Sequence, residues 1–241
     1  MTAVATELHP DLVSYIETWP PPWGRTVNHP LVRSNRMNSP EDVIEINNLY
    51  AAKVKDLEKS EKNRDWHTHI FLHERPYRAE ALYDLVNSHD LKPKEYWTVL
   101  GEVWIDAKNI WRDMALWESL WGYGKNPHRK FAMTIQDRKA LKLLPEEFTV
   151  WRGISHPEGM TGLSWTTSRD VALWFAHAGS WGAPHIAKGR IKRLDALVMF
   201  TSREEFEIVV PPDAVRAVIM KGLPAITSEE FGDLKAGLGW R

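Results

Sequence analysis

The chain has 241 residues, 43% of them hydrophobic and 11% aromatic, enough to bury a real core in one large domain or two small ones. Its 31 basic and 32 acidic residues leave a formal charge of -1, so no global electrostatic footprint directs it to nucleic acid or to an anionic membrane, and any such partner must be recognised locally. The absence of cysteine removes disulfides, thiolate metal sites and cysteine nucleophiles together.

The first residues, "MTAVATELHPDLV", lack the basic start and apolar run of a secretory signal. No segment reaches the roughly eighteen apolar residues of a membrane span. These features predict a soluble, cytoplasmic protein. Residues 1–38 read as an irregular arm, because "ETWPPPWGR", Glu17 to Arg25, holds three consecutive prolines that exclude helix and favour an extended segment. A single domain is expected over residues 39–241, with a helical front half over about 39–146, a β-rich core over about 147–225 and a C-terminal tail. Ser39 as cap, Pro40 at the first position and Glu41 and Asp42 in the first turn open a helix that should run to about Lys59.

Pro76 and Pro93 open further helices, the second reaching Trp111. Thr134 and Asp137 form a capping box ahead of "RKALKLL". Trp97, Trp104 and Trp111 recur every seven residues, the stripe of a helix laid on a core. His67, His69 and His73 match no zinc-ligand spacing and read as structural or solvent-facing. After Pro145 the pattern turns to short β-type runs, "FTVWRGI", "GLSWTT", "ALVMF", "EFEIVV" and "AVRAVIM", broken by one helical stretch, "SRDVALWFAHA". Helices followed by strands without βα alternation indicate α+β.

Carboxylates crowd the start of one apolar run, "REEFEIVV". In an extended strand Glu205 and Glu207 share one face while Phe206 and Ile208 take the other, and Glu204 falls to the preceding loop. By itself this motif fits a solvated strand end as well as a site. Upstream, Arg152 stands in an apolar strand next to Gly153, a pairing suited to a phosphate-bearing ligand. Ser164 and Thr166 share a strand face just ahead of a helix that starts near Ser168.

The order Trp-Arg-Gly, Ser-Trp-Thr-Thr, Glu-Phe-Glu resembles the three-part signature of the arginine–serine–glutamate class of mono-ADP-ribosyltransferases, best known from bacterial toxins. The resemblance covers about the C-terminal hundred residues, and the helical front half matches only loosely. It implies an ADP-ribosyltransferase fold, in which two packed, mainly antiparallel sheets form an NAD cleft. The family's serine motif usually reads Ser-Thr-Ser. Here Trp165 stands in the middle, pointing away from Ser164, and Thr166 replaces the last serine as a hydroxyl donor.

The resemblance further implies that NAD is cleaved between nicotinamide and ribose without a metal. Glu207 would stabilise the oxocarbenium-like ribose through its 2′-hydroxyl, and Ser164 would hold Glu207 in place. Arg152 would engage the NAD phosphate or adjoining ribose, Gly153 the nicotinamide amide, and Ser164 and Thr166 would complete the NAD-binding set. Glu205 would orient a protein acceptor's arginine and take its proton. The "TSRE" turn would recognise the acceptor, and Trp181 lies against nicotinamide or closes the core. Lys188, Arg190 and Lys192 alternate along one face, as on a charged edge strand kept for solubility; contact with a nucleic acid or acidic protein is the other reading. NAD hydrolysis, transfer to a DNA or RNA base, and an inactive NAD-binding module remain as alternatives to transfer onto protein.

Overall fold

A computed structural model describes residues 7–20, 24–34, 36–89, 91–108, 110–122, 124–155, 159, 162–179 and 183–240. The chain divides into two units, Met1–Leu91 with Asp106–Lys108, and Lys92–Ile105 with Asn109–Arg241.

In the first unit, α1 (Pro10–Val13) leads into a three-stranded antiparallel sheet, β1 (Ile16–Trp19), β2 (Gly24–Asn28) and β3 (Arg33–Ser34). The long α2 (Pro40–Lys62), α3 (Trp66–Phe71) and α4 (Arg78–Ser88) follow. The capping box that starts α2 is closed reciprocally by Ser39 and Asp42, and the helix runs one turn past the expected end. The prolines fall at the β1–β2 connection, where Pro21, Pro22 and Trp23 lie outside the described residues.

Residues 7–38, expected as an arm outside the domain, instead share a core with α2. Leu12, Val27, Leu31, Val32 and Met37 are buried with Ile46 and Tyr50. Polar ties close the same junction: Tyr50 donates to the Asp11 carboxylate at 2.8 Å, and Asn47 bonds both the His9 N–H and the Glu7 carbonyl. The apolar residues of this stretch are spread over the one-turn α1, strand β2 and the loops after it, so their irregular spacing shows no single period. Among the histidines, His67 stacks on Phe71, His69 meets the Ser60 hydroxyl at 3.3 Å and His73 meets the His69 carbonyl at 3.0 Å.

The second unit contains α5 (Pro93–Asp106, all but its last residue), α6 (Met114–Trp121), α7 (Ile135–Leu143), β4 (Glu147–Ile154), β5 (Ser164–Thr166), α8 (Arg169–His177), β6 (His185–Lys192), β7 (Val198–Phe200), β8 (Glu207–Val209), β9 (Arg216–Gly222) and α9 (Ser228–Gly237). Helix α5 stops at Asp106, short of the expected Trp111, so only Trp97 and Trp104 of the tryptophan stripe lie on it. Both are buried, and their rings pack with Trp117 and Trp121 of α6.

The architecture is α+β with antiparallel sheets. The second unit carries one six-stranded antiparallel sheet, ordered β7-β8-β5-β4-β6-β9, where two packed sheets were expected. It is nonetheless pinched in the middle: among the described residues β4 pairs with β6 at eight positions, but with β5 only at Trp151↔Thr166. Ser164 and Trp165 of β5 pair with β8 and have no register partner on β4 among the described residues, and α8 follows at Arg169. The core side of the sheet gathers Phe148, Val150, Ile154, Trp165, Met199 and Ile208. Trp165 is thus packed away in the core, its indole N–H donating to the Gly162 carbonyl at 3.0 Å.

Among the described residues no helix is long and apolar enough to cross a membrane.

Candidate active site

Glu207 opens β8 and lies in register with Thr166 of β5 on one side and Phe200 of β7 on the other. Residues directly opposite share a face, as do residues two apart on a strand, so Ser164 and Thr166 lie on the same face as Glu207. The Ser164 hydroxyl donates to Glu207 Oε1 at 2.5 Å. Glu207 is only 6% exposed, and burial pushes its pKa up; the Ser164 hydrogen bond, the Arg203 charge, the Trp104 indole and the Arg152 charge pull the other way. The indole N–H of Trp104 is buried without a hydrogen bond of ordinary geometry, yet it lies close enough to favour the Glu207 carboxylate.

Glu205 lies outside the strand. Arg203, Glu204 and Phe206 have φ of 66°, 57° and 48°, so a left-handed turn replaces the expected extended run, and Phe206 breaks the strand between the two glutamates. Each such non-glycine residue costs roughly 1–2 kcal/mol, and the neighbouring hydrogen bonds hold the turn against that cost. Buried Asp137 accepts from the Thr201 N–H at 2.8 Å and hydroxyl at 2.6 Å, fixing the start. The Thr166 hydroxyl donates to the Glu205 carbonyl at 2.6 Å, and the Thr167 N–H donates to the Phe206 carbonyl at 3.2 Å, fixing the end. Burial pushes the Asp137 pKa up, but the bonds from Thr201 and Thr134 outweigh it and hold the carboxyl below its usual range.

The Glu205 carboxyl is pushed up to about 7 by burial, with Arg203 opposing and Glu207 reinforcing the shift. Arg203 Nη2 meets Glu205 Oε2 at 2.9 Å.

Arg152 projects from the face of β4 that also carries Phe148, Val150 and Ile154. Its guanidinium bridges the parting between β4 and β5, donating from Nη1 to the Ser164 carbonyl and from Nε to the Gly159 carbonyl, the latter at 2.9 Å. The residue keeps some exposure while its charged head is desolvated, which lowers its pKa to about 10 against the opposing charge of Glu207. Gly162 makes room for this head: a Cβ there would stand 2.1 Å from Nη2.

Gly153 fills a different need, since a Cβ on it would meet the Ala172 carbonyl of α8 at 2.0 Å. Its bare Cα lets α8 press onto β4. Thr166 is 6% exposed, and besides its bond to the Glu205 carbonyl it accepts from the Ser168 N–H at 3.0 Å. Its hydroxyl thereby positions the glutamate turn and the start of α8, which Ser168 caps through the Val171 N–H. Trp181 lies outside the described residues. Lys188, Arg190 and Lys192 form the exposed face of β6, which is an inner strand flanked by β4 and β9, so the free edge belongs to β9. A separate groove of about 550 Å³ between α8 and α9, lined by Leu173, Leu223, Ile226 and Leu234 among others, includes neither Arg152, Ser164, Glu205 nor Glu207.

The structure therefore brings together Ser164, Glu205 and Glu207, places Arg152 at the sheet's pinch point, and turns Gly153 toward α8. It adds three residues the sequence reading did not assign to the site. Asp137 read as a helix cap, which it also is. Trp104 read only as part of a packing stripe. Arg203 stood inside the "TSRE" turn with no signal of its partner. Comparison with protein-family models, with curated proteins and with solved structures gives no match for this chain.

Proposed function

We propose that this chain is an NAD-dependent mono-ADP-ribosyltransferase that transfers ADP-ribose to an arginine of a protein acceptor and releases nicotinamide. The observation that carries the reading is the buried Glu207 carboxylate held by the Ser164 hydroxyl at 2.5 Å, beside a second glutamate on a braced turn. The pinched six-stranded sheet supports reading the fold as that of the ADP-ribosyltransferases, with the parting of β4 and β5 as the cleft.

In this reading Glu207 bonds the 2′-hydroxyl of the nicotinamide ribose and stabilises the positive charge that grows as the glycosidic bond breaks. Ser164 fixes the carboxylate, so little reorganisation is needed in the transition state. Arg152 supplies positive charge for the NAD phosphates, its head oriented by the Gly159 and Ser164 carbonyls. Glu205 receives a proton from the acceptor guanidinium, and a carboxyl titrating at about 7 is matched to that task near neutral pH.

The test is incubation of the full chain with adenine-labelled NAD and a cell lysate, measuring nicotinamide and locating the label by mass spectrometry. Nicotinamide release together with label on protein arginine is expected. No release overturns the reading. Release without label makes the chain an NAD glycohydrolase, and label on nucleic acid replaces the protein acceptor.

A further inference from the structure

The turn that carries Glu205 also carries a guanidinium in the place where an acceptor would sit. Arg203 Nη2 is 2.9 Å from Glu205 Oε2, and its side chain is 46% exposed while that of Glu205 is 15% exposed. The contact spans only two residues, and the left-handed backbone at Arg203 and Glu204 turns the arginine back over the following carboxylate. The same guanidinium is near enough to Glu207 to favour its charged form, so it approaches both carboxylates of the site.

We propose that Arg203 is the enzyme's own acceptor: its guanidinium receives ADP-ribose from NAD within the same molecule, making Arg203 a site of self-modification. The proposal rests on the transferase reading above. In the step, an Nη lone pair of Arg203 attacks C1′ of the nicotinamide ribose as the bond from C1′ to the pyridinium nitrogen breaks. The bonding pair leaves with neutral nicotinamide. The proton lost from the attacking nitrogen passes to Glu205 and then to water, and the product guanidinium keeps its single positive charge. Nothing is oxidised or reduced. The modified arginine no longer fits over Glu205, so the acceptor position opens to an external guanidinium.

The experiment is incubation of the purified full chain with NAD alone, quantifying nicotinamide and mapping ADP-ribose on peptides across a dilution series. The expected result is one ADP-ribose on Arg203, formed with a half-time independent of protein concentration. In Arg203→Gln the label per nicotinamide released should fall at least about tenfold, a ratio that a general loss of activity does not change. Nicotinamide release with Arg203 unmodified overturns the proposal and leaves the transferase reading standing. Modification whose rate scales with protein concentration overturns the intramolecular step. Absence of nicotinamide release sinks both.

Discussion

Below pH of about 7 the Glu205 carboxyl holds a proton, and a protonated acid cannot take another from an arginine. Transfer to arginine should therefore rise as pH increases through about 7. Because folding raises this pKa from 4.5, the native state binds the proton more tightly than the unfolded chain, so the same group lowers stability as pH climbs from 4.5 to about 7. Parallel pH profiles of arginine labelling and nicotinamide release should diverge, and Glu205→Gln should remove the limb near 7 from labelling only. Superimposable profiles that survive the substitution would place Glu205 outside the transfer step. Two glycines offer a second contrast. Gly162→Ala intrudes on the flexible head of Arg152, so it should weaken NAD binding about tenfold with little change in melting temperature. Gly153→Ala intrudes on the rigid backbone of α8, so it should destabilise by about 1–3 kcal/mol. Calorimetric titration and thermal unfolding of both variants decide; equal melting losses would mean that the Arg152 head cannot yield. At this scale Glu207 and Ser164 were legible because their residue types and order carry the motif. Arg203 and Trp104 were not, since their contacts depend on a positive-φ turn and on tertiary packing that no local pattern encodes.

Elements that begin with a chemical signal were the readable ones. Ser39, Thr134 and Ser168 cap α2, α7 and α8 as their sequences advertise, and β4, β5, β7, β8 and β9 fall on the short β-type runs after Pro145. Boundaries were weaker: α5 ends before its tryptophan period does, and β8 begins only at Glu207 because the chain at Phe206 is left-handed. Strand β6 alternates buried Ala187, Gly189 and Ile191 with charged Lys188, Arg190 and Lys192, a pattern that also fits a loop leading into an edge strand. The N-terminal sheet was hidden by its brevity and by three prolines. Its integration changes what truncation should do. Deleting the residues before Asn38 removes Leu12, Val27, Leu31, Val32 and Met37 from a shared core. At about 1.5–3 kcal/mol for each buried side chain, this rivals the roughly 5–15 kcal/mol that holds a whole domain. Circular dichroism melts of the truncated chain should lack a cooperative transition for this unit. A full-length melting profile would show that those five side chains contribute little.

Across the whole molecule, the catalytic groups proposed here all belong to the unit Lys92–Ile105 with Asn109–Arg241. The near-neutral charge of the chain provides no global steering field, so under the proposed function recognition would fall to local groups, Arg152 for phosphate and the glutamate turn for the acceptor. The six-stranded sheet holds Arg152 and Glu207 on separate halves that, among the described residues, meet at Trp151↔Thr166. The central claim is that Glu207, fixed by Ser164, breaks the bond between nicotinamide and ribose. Its most direct test is nicotinamide release from NAD by the full-length protein and by Glu207→Gln, with near-ultraviolet circular dichroism to show that both are folded. The account predicts release by the native protein and a loss of about 10²–10³ in rate in the folded variant. Equal release by the two, or none by the native protein, would contradict it.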